Sequence, residues 1–296
     1  MLVAGRLARQ GYTTIRRASR GDKMAKQLVI IGDAKHMDDV VSDSVQLVVT
    51  SPPYWNLKVY GKEGIGGREA YIQYINGIEQ VLVEVARIIE PGRFACINVG
   101  TAVSNNGMES IPADIINAMR RLGFTFKKEI IWVKPKGTQG LWQRGVTKFL
   151  KKLPYPCYLN VNIMHEYILI FQKPGEMTLK LTDRDRLPED FIKKVCWSVW
   201  EMRVSMTKGH PAPFPEELPE RLVRLYTAEG ETVLDPFGGT GTTMKVARDL
   251  NRNCILYEIN PQYLDIIKKK VEWGKQSIEA RHDYELKVKF PETISG

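Results

Sequence analysis

From residue 28 onward the chain keeps one rhythm, a short apolar run followed by an amphipathic stretch, and that rhythm leaves few folds open to it. Leu28-Val29-Ile30-Ile31 is apolar throughout and ends at Gly32-Asp33, as a buried strand stopped by a turn would. Further strands are predicted at 45–50, closed by Ser51-Pro52-Pro53, and at 94–99, 124–133, 166–171, 232–234 and 254–257. Between them, 71–90 reads as a helix with Ile72, Ile75, Ile78, Val81, Leu82 and Val85 on one face, stopped by Pro91-Gly92. Helices are also expected at 111–122, 218–226 and 242–250, and from Pro261 to about Gly274. Strands alternating with helices imply an α/β fold, a mainly parallel, doubly wound sheet covered on both faces. No internal repeat or low-complexity tract interrupts it, so residues 26–296 read as a single domain.

Two segments depart from the rhythm. Residues 134–162 carry Lys134, Lys136, Arg144, Lys148, Lys151 and Lys152 without one acid, with Trp142, Phe149, Tyr155 and Tyr158 interleaved. Residues 173–196 are polar and of mixed charge. Long insertions in a compact α/β domain are usually functional or disordered, and basic residues among aromatics suit a nucleic-acid groove. The blander reading is a solvated loop. The net charge of +9 fits a polyanionic partner, although charge alone describes any basic protein equally well. Residues 1–25 are set apart as a flexible basic extension, in which six basic residues face the single acid Asp22. A transit peptide, a basic arm, or leader residues ahead of a start at Met24 all fit that profile. Cys96, Cys157, Cys196 and Cys254 form no CxxC pair or Cys/His cluster, so neither metal nor disulfide is expected. No apolar run approaches the roughly 20 residues of a membrane helix.

Two loops carry chemistry. The first is Asp235-Pro236-Phe237-Gly238-Gly239-Thr240-Gly241-Thr242-Thr243, between a predicted strand and helix. Its glycines let a ligand approach the backbone, and the helix start offers unpaired N–H groups. It lacks both GxGxxG and the GK[ST] of a phosphate loop. Glu258, 23 residues after Asp235 at the next strand end, stands where a ribose would receive a carboxylate. A tight turn with no ligand is the alternative. The second loop is Thr50-Ser51-Pro52-Pro53-Tyr54-Trp55. Its prolines fix the backbone and remove two N–H donors, leaving carbonyls as acceptors. Ser51 adds a hydroxyl, and Tyr54 and Trp55 add flat faces on which a base could stack. A rigid turn with an aromatic plug is the alternative there.

Together, in this order, the loops resemble the amino-methyltransferases of bacterial restriction–modification systems, in the permuted order called the beta group. The similarity runs from about Val29 to Val271. Gly32-Asp33, Pro91-Gly92-Arg93-Phe94, Trp132-Val133-Lys134-Pro135, His165-Glu166-Tyr167-Ile168 and the 210–215 segment containing Phe214 resemble further family segments. The resemblance implies a Rossmann-like, S-adenosyl-methionine-dependent fold with inserted target-recognition segments at 134–162 and 173–196. It implies that Asp33, Phe214, Asp235, Pro236, Phe237, Gly239, Thr240, Gly241, Thr242 and Glu258 hold S-adenosyl-methionine. Asp33 would lie near the adenine and Phe214 in the segment closing over the methionine end. Ser51, Pro52, Pro53 and Tyr54 would hold the target amine. Trp55, Lys136, Arg144, Lys148, Lys151 and Lys152 are the expected contacts to double-stranded DNA, with the target base flipped out of the stack. Serine at 51 resembles the cytosine-N4 branch. A cognate restriction endonuclease and a cytoplasmic, nucleoid-associated bacterial or archaeal setting come from the resemblance alone. Adenine-N6 methylation keeps the same chemistry, and an RNA substrate fits the motifs as well. Pro156-Cys157 raises cytosine-C5 chemistry, but it lies in the basic insertion, away from the amine loop. From other classes, an NAD-dependent oxidoreductase would need GxGxxG, and an inactive DNA-binding module would have no use for two intact chemical loops.

Overall fold

The computed structural model describes residues 12–13, 25–55, 65–66, 69–104, 107–135, 163–204, 214–274 and 282–289. The chain opens with β1 (Tyr12–Thr13), β2 (Ala25–Ile31) and β3 (Val45–Thr50). Helix α1 (Tyr71–Ile88) leads into β4 (Ile89–Val99), a small hairpin of β5 (Ala102–Ser104) and β6 (Gly107–Glu109), and α2 (Ile111–Arg121). Then come β7 (Thr125–Val133), β8 (His165–Gln172), β9 (Met177–Thr178), α3 (Glu189–Val195) and β10 (Val199–Glu201). The chain continues through α4 (Glu217–Tyr226), β11 (Thr232–Asp235), α5 (Thr242–Asp249), β12 (Asn253–Glu258), α6 (Leu264–Lys270) and β13 (His282–Val288).

Nine strands form one sheet in the order β10-β7-β8-β4-β3-β11-β12-β2-β13. All neighbours in it are parallel except those of β8, which runs against both β4 and β7. Central strands covered on both sides have no polar face to offer, and β3 shows it. Its Val48 packs with Ile78, Val85 and Ile97 on the α1–α2 side, while Leu47 and Val49 pack with Leu222, Met244 and Leu256 on the α4–α5 side. Each such side chain contributes about 1.5–3 kcal/mol on burial.

The connections place the site. From β3 the chain crosses through α1 to β4 on one side, and from β11 it crosses through α5 to β12 on the other. The loops after β3 and β11 therefore part company above adjacent strands, which opens a crevice at the carboxyl edge of the sheet.

Several expectations need correction. Pro91-Gly92 does not separate helix from strand, because β4 already begins at Ile89. The pair is absorbed as an irregularity, with Gly92 at φ 77° and its N–H bonded to Lys173 O at 2.9 Å. Ile72 is 64 % exposed, and Tyr74 takes its expected place on the buried face of α1. The last helix is a 3₁₀ turn at Pro261–Tyr263 followed by α6. The edge strand β13 was not anticipated, since its alternating apolar and polar residues lie beyond the last motif. Within the extension, β1 pairs in parallel with β9.

Residues 173–196 are tied to the rest of the domain at several points. Asp185 accepts from Glu229 N at 2.8 Å and pairs with Arg252 at 3.6 Å, and both partners precede their strands at the amino edge. Lys194 pairs with Glu217 at 2.5 Å and the Phe191 ring lies under Arg224. Part of its charge is thus paired within the protein, while Glu176, Lys180, Arg186 and Asp190 stay exposed. The other insertion leaves from Val133 and returns at His165, both at the carboxyl edge. Lys136, Arg144, Lys148, Lys151, Lys152 and Pro156-Cys157 lie outside the described residues, as do His210 to Pro213. Of the cysteines, Cys96 and Cys254 are buried and Cys196 is exposed. Among the described residues no helix is long and apolar enough to cross a membrane.

Candidate active site

The crevice is a cleft of about 940 Å³ including its open mouth. Gly32 and Asp33 after β2, Ser51 to Tyr54 after β3, Pro236 to Thr240 and Thr242 after β11, and Glu258 at the end of β12 all line it. Phe214, Ile259 and Tyr263 add apolar and aromatic wall. The two loops that the sequence singled out, 184 residues apart between Ser51 and Asp235, thus face one another.

Asp235 ties them together. Its carboxylate is 1 % exposed and accepts from Thr50 Oγ1 at 2.7 Å, Thr243 Oγ1 at 2.6 Å and Phe237 N at 3.1 Å. Burial pushes its pKa up to about 6, against these bonds. Asp235 is therefore the clamp beneath the loops and does not itself line the cleft. Gly238 is required by space. A Cβ there would lie 2.2 Å from Leu256 Cγ, inside the core, so the loop could not settle onto β12 with a larger residue. Gly241 caps α5 in the left-handed region at φ 80°.

Glu258 closes one end of the cleft. Oε2 accepts from Gly239 N at 2.7 Å and Oε1 from Asn260 N at 2.8 Å, which leaves part of its acceptor capacity. Burial raises its pKa to about 7, opposed by the backbone N–H groups of Asn260, Gly239 and Ile259. Asp33 holds its own turn, accepting from Lys35 N at 3.0 Å and pairing with Lys35 Nζ at 3.4 Å.

At the other end stands the Ser51 loop. Pro53 O accepts from Tyr74 OH at 3.0 Å, so α1 fixes the loop and uses up one of the two proline carbonyls. Among the described residues no donor is paired with Pro52 O, which leaves it as an acceptor beside the Ser51 hydroxyl. Trp55 is turned inward, its indole N–H donating to Glu69 O at 2.9 Å and its ring edge-on to Tyr71 at 5.1 Å. That makes Trp55 a brace for the loop.

Behind Ser51 lies a group that the motifs did not single out for a role. Asn98 Nδ2 reaches Ser51 Oγ at 3.4 Å and donates to Glu166 Oε2 at 2.7 Å, and Lys134 Nζ donates to the other Glu166 oxygen. Asn98 is 2 % exposed in an otherwise apolar run, and a buried polar residue in such a strand is the signal that could have found it.

Comparison with known proteins decides the family. A model described as DNA methylase, of the N6/N4 class, matches residues 45–269. The chain belongs to the N6/N4 DNA methylase family. It is similar to the type II methyltransferase M.MjaI of Methanocaldococcus jannaschii, at 35 % identity over 82 % of this chain and 90 % of that protein. M.MthZI of Methanothermobacter thermautotrophicus is 30 % identical over 79 % of this chain and 73 % of its own length. Among solved structures, TTHA0409 of Thermus thermophilus, a candidate DNA modification methylase, complexed with S-adenosyl-L-methionine, superposes with a TM-score of 0.67 at 31 % identity. The match covers 89 % of this chain and 100 % of that one. The cytosine-N4-specific PvuII DNA methyltransferase shares the fold with a TM-score of 0.63 at 21 % identity, over 88 % and 93 % of the two chains. This N6/N4 family member is a DNA methyltransferase, on the α/β scaffold expected from its alternating pattern.

Proposed function

We propose that this DNA methyltransferase transfers a methyl group from S-adenosyl-methionine to the exocyclic N4 of a cytosine flipped out of double-stranded DNA. One observation carries the reading: Ser51 and Pro52 line the same nucleoside-sized cleft as Glu258, a buried carboxylate.

The residues fit the cofactor. Glu258 has acceptor capacity left for the ribose hydroxyls, Asp33 stands beside the apolar wall suited to an adenine, and the glycine turn brings backbone close to the ligand. Phe214 lines the same cleft. When bound, S-adenosyl-methionine supplies an electrophilic methyl group. The protein's part is positioning and electrostatics. Ser51 Oγ and Pro52 O accept the two amino hydrogens, favouring a pyramidal, more nucleophilic nitrogen, and Tyr54 offers the face on which the base stacks. Serine at 51 is what favours cytosine over adenine. The basic residues of the insertion, Lys136, Arg144, Lys148, Lys151 and Lys152, are proposed as the DNA wall, because the strands that carry the insertion end at the cleft edge. The type II names of the relatives support a restriction–modification setting.

Glu258 gives the proposal a pH test. Its carboxyl titrates near 7 in the free protein, and only the anion can accept both ribose hydroxyls. Binding then requires loss of the proton, so affinity rises with pH and levels off above 7. Calorimetry from about pH 6.5 to about pH 8 is expected to show several-fold tighter binding at the upper end. Glu258→Gln should weaken binding and flatten the dependence. A wild-type affinity independent of pH would remove Glu258 from the ribose.

A further inference from the structure

We infer that Glu166 is a positioning residue for methyl transfer, acting through Asn98 to set the Ser51 hydroxyl as a paired donor and acceptor for the amidine edge of the target base. The inference rests on the reading of Ser51 given above and adds to it what orients that hydroxyl.

The sheet brings the four residues together. Thr50 on β3 lies opposite Ile97 on β4, so Ser51 and Asn98 follow side by side. Asn98 lies opposite Ile168 on β8, and Glu166 is two residues earlier, on the same face as a diagonal neighbour. Glu166 in turn lies opposite Trp132 on β7, two residues before Lys134. Lys134 sits 5.0 Å over the Trp132 ring and donates to Glu166. Gly100 lies between Glu166 and the Tyr54 ring, where a Cβ would be in van der Waals contact with both, at 3.4 and 3.8 Å. The buried carboxylate therefore lies directly behind the residues proposed to hold the base.

An ionised carboxylate accepts only, so Glu166 compels Asn98 to present its NH₂. The alternative amide orientation would set oxygen against oxygen. The second Nδ2 hydrogen then faces Ser51 Oγ, and Asn98 Oδ1 is left buried without a partner. A hydroxyl that receives a hydrogen bond from behind keeps its own proton and one lone pair to offer in front. That pair complements a ring nitrogen next to an amino group, the edge shared by cytosine N3/N4 and adenine N1/N6. The 3.4 Å separation is long for such a bond and leaves the hydroxyl room to adjust when a base arrives. With an uncharged amide at 166 the constraint disappears. Asn98 can turn its oxygen to Ser51, and the hydroxyl proton is then drawn inward.

A double-mutant cycle tests this, read as kcat/KM for unmethylated bacteriophage DNA with methyl-labelled S-adenosyl-methionine. Glu166→Gln should lower kcat/KM roughly tenfold, less than the ~100-fold of losing a directly aimed hydrogen bond, with cofactor affinity unchanged. In a Ser51→Ala background the same change should have no further effect, because the group it orients is gone. A tenfold loss that persists in that background, or no loss in the wild type, overturns the inference. If Ser51→Ala alone leaves the rate intact, it is the reading of Ser51 that fails, and the two failures are distinct. Should Glu166→Gln not fold, as judged by circular dichroism, Asn98→Ala is put through the same cycle with the same outcomes.

Discussion

Ser51→Ala is expected to slow single-turnover methyl transfer about 100-fold while the affinity for S-adenosyl-methionine stays level. The hydroxyl stands at the wall of the cleft and its loss leaves Pro52 O in place, so one of two acceptors for the amine is removed. Positive charge grows on that nitrogen only as the methyl group is transferred. The missing acceptor is therefore felt in the transition state and hardly before it. The loop itself should keep its shape, since Tyr74 holds Pro53 O and Glu69 holds Trp55 independently of Ser51. Rapid-quench assays with labelled cofactor give the rate, and calorimetry gives the affinity. An unchanged rate, or an affinity that falls in step with it, would take Ser51 out of the reaction.

Asp235→Ala should be felt in both stability and activity. The carboxylate satisfies two buried threonine hydroxyls and a backbone N–H, one of the hydroxyls belonging to the strand that ends in the Ser51 loop. Removing it strands those donors away from water, at a cost of about 3 kcal/mol. It also frees the Ser51 loop from the glycine turn, and misplacing one reacting group by about 1 Å can cost ~100-fold in rate. The sign of the pH effect follows from the raised pKa. The unfolded chain gives up this proton near pH 3.8, the folded chain only near 6. Between those values rising pH favours the unfolded state, and above them the contribution is constant. Asp235→Asn should remove that component of the stability curve. Chemical denaturation of both variants across this range checks the stabilities. A fully stable, fully active Asp235→Ala protein would mean that the two loops are held by something else.

The sequence made the scaffold readable because its central strands are buried on both faces and so appear as unbroken apolar runs. Val45–Thr50 and Thr232–Asp235 needed no further signal. The cleft was readable for a related reason: glycine at 238 and paired prolines at 52 and 53 are backbone demands that few other structures make. What stayed hidden depended on pairing across strands. Asn98, Glu166 and Lys134 are far apart in the chain and meet only because β4, β8 and β7 lie side by side. Pro91-Gly92 misled for the same reason, as a neighbouring strand supplies the partner for Gly92 N. The bracing role of Trp55 was hidden as well, because the Glu69 carbonyl that receives its indole N–H stands 14 residues away.

The central claim is that this cleft methylates the exocyclic amine of a DNA base. It is tested most directly by naming the product. The protein, purified from a host without DNA methylation, is incubated with unmethylated bacteriophage DNA and methyl-labelled S-adenosyl-methionine, and the DNA is digested to nucleosides for mass spectrometry. Label is expected in N4-methylcytosine. Label in N6-methyladenine would retain the amine chemistry and overturn the choice of base, whereas label in 5-methylcytosine would contradict the account, because carbon methylation has no use for the acceptors of the Ser51 loop.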